Sequence, residues 1–300
     1  MKKILNDPAR YVDDMLDGLC AAYPQHYRRA GDNGRVLAHA DSAAAGKVGI
    51  VTGGGSGHLP LFHGYVGPGL AGACAIGNVF AGPRVDDCLT AMRLSDGGAG
   101  ILQLYGNYGG DKMNFDMAQE FAEMEGIDVK SVRMTDDIAS APQAEQHKRR
   151  GVAGLVYAYK LAGAKADTGA SLAEVTATAE KAVAACRSIG VALSACVVPE
   201  SGRPAFSLTE DEMEFGMGIH GEPGIWRGKI RPAAVLADDM LARLWEEIPA
   251  ARGDRISLMV NSLGATSMEM SGFSLTLCAL DNELETLLRA PASSPFWSQP

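Results

Sequence analysis

The chain has 300 residues and a formal net charge of −9, and hydrophobic residues make up 47% of it. That hydrophobic fraction is typical of a globular protein and excludes a largely disordered one. The acidic charge, with no basic cluster beyond the short HKRR at positions 147–150, disfavours nucleic acid and anionic membranes as partners.

The N-terminal sequence shows no export signal. It has two lysines but lacks the apolar core of a signal peptide, and no apolar run in the chain approaches the length of a bilayer span. The six cysteines are scattered through apolar surroundings without a CxxC pair, which is typical of reduced, buried residues rather than of disulfides or a zinc site. We therefore expect a cytoplasmic protein.

The first half of the chain alternates between predicted helices and strands. Asp7 and Pro8 are typical of a helix start, and the apolar run at 48–51 predicts a strand that leads directly into TGGGSGH. Further elements follow in order: a helix over 85–94, a strand over 100–105 that ends in the loop GNYGGD, a helix to residue 125 and a strand over 127–134. This alternation indicates an α/β domain with a largely parallel sheet.

The second half begins with a capping box. Ser171 and Glu174 predict a helix that closes near residue 190, followed by a strand over 191–198. After the sequence GIHGEPG come a predicted helix over 233–247, strands over 256–261 and 273–280, and a short helix from residue 282. We predict two α/β domains with mixed, largely parallel sheets, one over residues 1–190 and a smaller one over residues 191–300.

Neither glycine-rich stretch of the first domain matches a nucleotide-binding motif well. The GGGSG that follows the first strand lacks the lysine of a P-loop. The pattern GxGxxG occurs at 67–72, with Asp87 further along, but no clean strand precedes it. Tight turns therefore explain it better than a dinucleotide site does.

Three protic side chains lie in separate glycine-rich loops. His58 and Asp111 each follow a predicted strand, at the edge where open α/β sheets place ligands, and His220 lies between glycines in GIHGEPG. Taken singly, each has a structural explanation, such as a core histidine or, for Asp111, an N-cap. Together they indicate a small polar pocket with acid–base chemistry. A metal site is the alternative, although their spacing does not support one.

Five motifs resemble those of the dihydroxyacetone kinase family, in particular of its ketose-binding subunit, called DhaK. They are GGGSGH (53–58), GNVF (77–80), NYGGDKMNF (107–115), RRGVAG (149–154) and EMEFGMGIHGEPG (212–224). The resemblance extends from KKILNDP near the N-terminus to GFSLTLCALDNEL near the C-terminus, which is nearly the whole chain.

The resemblance implies a role for each pocket residue. His220 would add through a ring nitrogen to the carbonyl group of a short ketose and hold it as a hemiaminal. His58 and Asp111 would orient and deprotonate the terminal hydroxyl group that attacks the phosphoryl donor. The substrate-binding loop would consist of Gly55, Ser56 and Gly57.

The resemblance further implies a phosphotransferase subunit of the glycerone (dihydroxyacetone) kinase type that binds neither cofactor nor metal itself. ATP or ADP with Mg²⁺ would lie on a separate, helical nucleotide-binding subunit of the DhaL type, and the present chain would form a homodimer. The phosphoryl donor, ATP or the phosphotransferase system, stays open. Two alternatives also stay open: a subunit specific for a tetrulose such as erythrulose, and a ketose-binding regulator without transfer activity.

Three departures from the family pattern bear on these expectations. Leu59 replaces the glutamate that usually follows GGGSGH, and Gly106 stands where the type members usually have lysine. The sequence also passes from NSLGAT directly to SMEMSG at positions 266–267, where about thirty residues, the size of a helix–strand unit, are missing. We therefore expect either a second domain that is naturally abridged or a segment omitted from the sequence at this point. We also expect a pocket with room for a longer ketose.

Overall fold

The fold is described by a computed structural model, which covers residues 4–40, 42–195, 197–204, 206–261 and 272–300. The predicted junction between residues 266 and 267 lies outside the described residues. Within them, no helix is long and apolar enough to cross a membrane. Five of the six cysteines fall in the described ranges and are free thiols, four of them buried.

The described ranges contain seven α-helices and thirteen strands. The helices are α1 Tyr11–Ala22, α2 Val85–Ser95, α3 Gly109–Met124, α4 Leu155–Asp167, α5 Leu172–Ala185, α6 Ala233–Glu247 and α7 Asn282–Arg289. The first six strands are β1 Tyr27–Ala30, β2 Val36–His39, β3 Gly49–Gly55, β4 Ala73–Gly77, β5 Ile101–Gly106 and β6 Val129–Met134. The others are β7 Cys186–Ala192, β8 Glu212–Phe215, β9 Trp226–Lys229, β10 Arg255–Asn261, β11 Gly272–Leu280, β12 Ala292–Ser294 and β13 Trp297–Gln299.

The first sheet has six strands in the order β1-β2-β4-β3-β5-β6. Strands β4, β3, β5 and β6 are parallel, as predicted, whereas β1 and β2 form an antiparallel edge. The prediction missed β4 because it lies within a stretch that is dense in glycine. The carboxyl ends of β3 and β5, where the loops of His58 and Asp111 begin, lie side by side at one edge of this sheet.

The second sheet differs from the prediction in the direction of its strands. Its order is β10-β11-β7-β8-β9, and each neighbouring pair is antiparallel. The predicted helix also ends earlier, at Ala185, and β7 begins at Cys186, so the predicted domain boundary near residue 190 falls within a strand. Pairing with β11 holds 186–192 extended, although the alanine-rich sequence before it favours a continuing helix.

Helix α4 connects the two sheets and is buried on nearly all sides. The hydroxyl group of Tyr159 forms a hydrogen bond of 2.7 Å with Thr52 of the first sheet, and that of Tyr157 forms one of 2.8 Å with Ser257 of the second. A helix that is apolar all round shows no amphipathic periodicity. The sequence pattern therefore did not reveal α4.

The segment after β6 joins the two sheets close to the candidate site. Asp137 forms a parallel bridge with Ser188 of β7. The buried carboxylate of Asp136 accepts hydrogen bonds from the N–H groups of Val152, at 2.8 Å, and Gly154, at 2.7 Å. The motif RRGVAG is thereby fixed between the sheets, beside the loops that carry the polar residues.

Candidate active site

Strand β3 ends in glycines because its neighbours leave no space for side chains. A Cβ atom at Gly53 would lie 2.7 Å from the carbonyl oxygen of Ala75, and one at Gly55 would lie 2.5 Å from that of Val79. Glycine alone tolerates such an approach of backbone to backbone. These glycines therefore serve packing, and a single 3₁₀ turn over Ser56–His58 follows them.

The predicted substrate-binding residues Gly55, Ser56 and Gly57 differ in the polar groups they leave unused. The N–H group of Gly57 donates to the carbonyl oxygen of Val79 at 2.8 Å, so this donor is occupied within the protein. Gly55 pairs with Gly77 in the sheet. The hydroxyl group of Ser56 is buried and has no hydrogen-bond partner among the described residues. Ser56 is therefore the residue of the three with a free polar group.

His58 is fully buried, and neither ring nitrogen has a hydrogen-bond partner within the described part of the chain. Its ring stacks on that of Phe80, with 5.0 Å between centroids, and meets the edge of Phe62. Burial, and in second place the nearby His220, lower the pKa of His58 well below its ordinary value. His58 is therefore a neutral imidazole with an unused acceptor nitrogen.

Asp111 lies in the first turn of α3, directly after the short loop that follows β5. It is not the N-cap, which is Tyr108, so the structural explanation for this aspartate does not hold. Burial raises its pKa to about 6, although His220 and a backbone hydrogen bond act in the lowering direction. Its Oδ1 atom is buried and unpartnered among the described residues. Such a carboxyl group is poised to exchange a proton near neutral pH.

His220 lies in a tight turn whose backbone is bonded to itself. The N–H group of Gly218 donates to the carbonyl oxygen of Glu222 at 3.1 Å, and that of Gly221 donates to Gly218 at 3.0 Å. Gly221 has a φ of +84°, which favours glycine. A Cβ atom at Gly218 would lie 2.2 Å from Glu222 Oε2 and 2.3 Å from Arg150 Nη1. The flanking glycines therefore make room for protein groups behind the histidine.

Glu222 fixes the orientation of the His220 ring. Its Oε1 atom lies 3.0 Å from Nδ1 of His220, and its Oε2 atom accepts the backbone N–H group of His220 at 2.9 Å. Burial acts to raise the pKa of Glu222, but its hydrogen bonds, above all the one to the His220 ring, outweigh burial and lower the pKa to about 2. A carboxylate on Nδ1 places the proton there and leaves Nε2 with a lone pair.

The three predicted residues converge. The rings of His58 and His220 meet edge to face with centroids 4.7 Å apart, and His220 lies close enough to Asp111 for a protonated imidazole to lower the pKa of that carboxyl group. Tyr108 and Phe80 hold the His220 ring from the side, at centroid distances of 4.8 Å and 5.7 Å. The His220 side chain stays 24% exposed, so a small ligand can reach it.

Sequence reasoning missed four residues of this site: Glu222, Arg150, Tyr108 and Phe80. Glu222 had a local signal, because a glutamate two residues after a histidine in a glycine turn can reach its ring. The other three belong to motifs of the resemblance, but their contacts depend on how distant segments meet. No motif spacing reveals such contacts.

The metal and dinucleotide alternatives gain no support from the geometry. Among the described residues, no group of three or more histidine, cysteine or acidic side chains is arranged to hold a metal ion. The GxGxxG stretch packs against the C-terminal segment, where a Cβ atom at Gly67 would lie 2.1 Å from the carbonyl oxygen of Ser293. Gly67 therefore serves packing against the C-terminal segment.

One sizeable cavity lies away from the polar residues of the candidate site. It has a volume of about 620 Å³ and is lined by Tyr157, Lys160 and residues of β10. A smaller cavity of about 350 Å³ includes Gly82 and Arg84, and Gly82 borders the carboxyl group of Asp111. Because reactive groups rather than volume define an active site, we assign the site to the histidine pair.

Fold and site together define a class: an α/β protein in which a histidine and a buried carboxyl group follow parallel strands and meet a second histidine from a loop of the antiparallel sheet. Such a site can perform acid–base chemistry on a small polar ligand. The chain belongs to the dihydroxyacetone kinase family, because residues 17–268 match the model of the Dak1 domain. Its similarity to curated members identifies it as the DhaK type.

Among curated relatives, the chain is 40% identical over 331 positions to the "PTS-dependent dihydroxyacetone kinase 1, dihydroxyacetone-binding subunit DhaK" of Listeria innocua, covering 99% of this chain and 100% of that one. It is 38% identical to the "D-erythrulose kinase" of Mycolicibacterium smegmatis, covering 100% of this chain and 57% of that one. The chain thus spans a whole DhaK subunit but little more than half of some longer kinases of the family.

Two solved structures are similar over most of the chain. The dihydroxyacetone kinase of C. freundii superposes with a TM-score of 0.91 at 30% identity, covering 100% of this chain and 60% of that one. The structure described as "Dihydroxyacetone kinase operon co-activator Dha-DhaQ" superposes with a TM-score of 0.86 at 31% identity, covering 95% of this chain and 98% of that one. The first is an enzyme and the second is described as a co-activator.

Proposed function

We propose that this chain is the ketose-binding subunit of a dihydroxyacetone-type kinase and that it holds a short ketose as a hemiaminal on His220. The observation that carries the proposal is the pairing of Nδ1 of His220 with Glu222, at 3.0 Å, next to the unpartnered groups of His58 and Asp111. This arrangement provides a nucleophilic nitrogen together with acid and base groups in one small pocket.

Addition of His220 to the ketone is chemically balanced without a cofactor. The Nε2 lone pair forms a bond to the carbonyl carbon, the π bond opens, and the oxygen takes up a proton from solvent, which reaches the partly exposed His220, to become a hydroxyl group. The imidazole gains positive charge, which the Glu222 carboxylate stabilises at 3.0 Å from Nδ1. Polyols such as glycerol have no carbonyl carbon to attack, so covalent capture selects ketones.

His58 and Asp111 act on the terminal hydroxyl group in this proposal. Asp111, with its pKa raised to about 6, is ionised at neutral pH and basic enough to take a proton. The neutral imidazole of His58 can accept a hydrogen bond from the same hydroxyl group and orient it. Phosphoryl transfer itself depends mainly on such positioning and on neutralising charge.

The nucleotide comes from a separate subunit. The sequence has no P-loop, and a relative at 40% identity is named as the dihydroxyacetone-binding subunit of a PTS-dependent kinase. We propose that a helical, DhaL-like partner carries ATP or ADP with Mg²⁺, and that the present chain binds no cofactor or metal. A homodimer of this chain is part of the same proposal.

A longer ketose than dihydroxyacetone is supported by the relatives and not by Gly106. A Cβ atom at Gly106 would lie 3.0 Å from the ring of Tyr108 and 3.2 Å from the carbonyl oxygen of Gly151, so the missing side chain opens no extra space there. Erythrulose kinases are among the relatives at 38% identity. We propose a tetrulose such as erythrulose as an alternative substrate, and a kcat/KM at least tenfold higher for dihydroxyacetone would contradict it.

The direct test combines the chain with dihydroxyacetone or erythrulose, ATP, Mg²⁺ and a DhaL-like subunit, and measures the phosphate ester. We expect product only when both subunits are present. His220→Ala should abolish the preference for ketone over glycerol, while His58→Ala should lower kcat by about 100-fold or more and keep ketose binding. Product formation at the wild-type rate by His220→Ala would refute the covalent role.

A ketose-binding regulator is the second candidate function, favoured by the similarity to the co-activator structure. That structure is of nearly the same length, with 98% of it covered, and is 31% identical to this chain. The same assay separates the two functions. Ketose binding without any phosphate ester would favour the regulator, and turnover would favour the kinase subunit.

A further inference from the structure

Arg150 lies behind His220 and contacts three different segments. Its Nε atom donates to Asp137 Oδ2 at 2.8 Å, and its Nη2 atom donates to the carbonyl oxygen of Gly216 at 3.4 Å. Its Nη1 atom faces Glu222 Oε2 at 3.7 Å. The side chain is only 13% exposed, so these contacts form in a partly desolvated environment.

The two oxygens of Glu222 have separate tasks, which makes the position of Arg150 significant. Oε1 faces Nδ1 of His220, whereas Oε2 accepts the His220 backbone N–H group and faces the arginine. A charge held on the Oε2 side favours the rotamer that keeps Oε1 on the ring. Arg150 thus acts on the imidazole through the carboxylate and does not touch the ring itself.

The arginine is itself held in place from the first sheet. Asp137 follows β6, and its backbone N–H group donates to the carbonyl oxygen of Arg150 at 3.1 Å. Ser140 Oγ accepts the N–H group of Arg150 at 3.0 Å. The guanidinium also lies directly against the backbone of the histidine turn, because a Cβ atom at Gly218 would be 2.3 Å from Nη1.

We propose that Arg150 is a positioning residue that sets the tautomer of His220. It holds the Glu222 carboxylate so that the ring proton stays on Nδ1 and the lone pair stays on Nε2, aimed away from the carboxylate. The proposal deepens the proposed function, since Nε2 is the atom that would attack the ketone. The tautomer itself can be measured whether or not a ketose binds.

Other charged and titratable groups around Glu222 do not replace the arginine. Asp136 and Asp137 are anionic when ionised, His58 is a buried imidazole, and the buried hydroxyl group of Tyr108 has no partner among the described residues. Without Arg150, Glu222 and Asp137 would lose their shared cation. A carboxylate left without its cation in a buried site reorients or takes up a proton.

The test labels histidine with ¹⁵N and records the NMR chemical shifts of the two ring nitrogens of His220 in the protein without ketose. The chain has six histidines, and His220→Asn assigns the signal. We expect the wild-type chain to show the Nδ1–H tautomer. Arg150→Met should show a mixture with a substantial Nε2–H population, and Arg150→Lys, which keeps a charge but not the fork of donors, should lie between.

Arg227→Met is the matched control. Arg227 binds Glu214 at 2.6 Å and 3.0 Å, and Glu214 accepts the N–H group of Gly224 in the same loop. This second arginine–carboxylate pair supports the loop without reaching His220. Arg227→Met should leave the tautomer of His220 unchanged. If loosening the loop were enough to change the tautomer, both Arg150→Met and Arg227→Met would change it.

Ketose binding supplies the second measurement. Arg150→Met should weaken the affinity for dihydroxyacetone about tenfold and leave the affinity for glycerol unchanged, since only the ketone uses Nε2. An unchanged Nδ1–H tautomer in Arg150→Met, or in Arg150→Lys if the first variant does not fold, would overturn the proposal. A wild-type chain that shows the Nδ1–H tautomer but forms no adduct would refute the proposed function and leave the role of Arg150 intact.

Discussion

Burial sets the protonation of the pocket side chains in opposite directions. It lowers the pKa of His58, because a charged imidazole is poorly solvated there, and it raises that of Asp111 to about 6. Glu222 is the exception, since its bonds to His220 outweigh burial and lower its pKa to about 2. At neutral pH the pocket therefore combines a neutral His58 with two carboxylates of very different basicity.

Phosphoryl transfer should slow as the pH falls below about 6, because only ionised Asp111 can accept a proton. The pKa of Asp111 is raised to about 6, and well below that value the ionised fraction falls about tenfold per pH unit. Initial rates with the nucleotide-binding subunit from about pH 5 to about pH 8 check this. The residual activity of Asp111→Asn should not fall in this way at acidic pH. If the rate of this variant still falls below about pH 6, the loss of activity belongs to another group.

Asp111→Asn should also stabilise the protein at neutral pH. The pKa of Asp111 is about 6 in the folded chain against an ordinary value of 3.8, so the folded state disfavours ionisation. That cost is absent below about pH 4, grows as the pH rises between the two values, and is complete above about pH 6. It amounts to at most about 3 kcal/mol.

Denaturant unfolding of Asp111→Asn and wild type at about pH 7.5 and about pH 4 measures this difference. The gain in unfolding free energy should be present at the higher pH and nearly vanish at the lower. An equal change at both pH values would show that ionisation is not its cause. The combination of a slower and more stable variant is typical of an active-site residue.

At the scale of elements, the turn over Ser56–His58 is fixed by close packing against the loop after β4. A Cβ atom at Gly57 would lie 2.5 Å from Val79 Cγ1 and 2.8 Å from the carbonyl oxygen of Val79. The turn cannot accept a side chain there without moving. Because His58 is the next residue, any such movement displaces the buried imidazole.

Gly57→Ala should therefore lower the transfer rate by about 10-fold to 100-fold and destabilise the fold by about 1–3 kcal/mol, the usual cost of overpacking. Gly18→Ala is the control, since Gly18 lies within α1 and its Cβ atom would meet nothing within 4 Å. That change should stabilise the protein by about 0.5–1 kcal/mol and leave the rate unchanged. A wild-type rate in Gly57→Ala would show that the loop after β4 can yield.

The sequence predicted an element well where one face of it is exposed to solvent and the other is buried. The predicted bounds of α6 agree with the structure, because one face packs on the second sheet and the other is polar. Helix α4 is buried on nearly all sides and has no polar face, so its sequence shows no helical alternation of polar and apolar residues. The start of β7 and the antiparallel order of its sheet depend on partners distant in the chain, and local propensity carries no such information.

The candidate site shows the same division. The convergence of His58 and Asp111 was predicted, because the carboxyl ends of parallel strands share one edge. His220 comes from a loop of the antiparallel sheet, and only its glycine-rich surroundings grouped it with the other two. The support from Arg150 was not predicted, because it comes from the link between the two sheets. Local sequence indicated which polar residues form the candidate site but not which residues hold them in place.

At the scale of the whole molecule, a buried ion pair joins the second sheet to the Asp111 loop. The guanidinium of Arg149, which is 0% exposed, forms bonds of 2.5 Å and 3.0 Å with Glu247 at the end of α6. The side chain of Asn107 donates to the carbonyl oxygen of Arg149 at 2.8 Å. Asn107 lies in the loop GNYGGD, so the pair connects the position of Asp111 to the covering helix of the other sheet.

Glu247→Ala should lower the free energy of unfolding by about 3–5 kcal/mol, because it leaves the Arg149 guanidinium buried without its counter-charge. Lys130→Ala is the control: Lys130 pairs with Asp128 at 3.8 Å with both side chains more than half exposed, and its loss should cost less than about 1 kcal/mol. Replacing both members, as Arg149→Met with Glu247→Leu, should recover part of the loss, since no charge is then buried.

Denaturant unfolding measures the free energy of unfolding of each variant. A double variant that is no more stable than Glu247→Ala would show that the backbone contacts of Arg149, rather than its charge, hold the two sheets together.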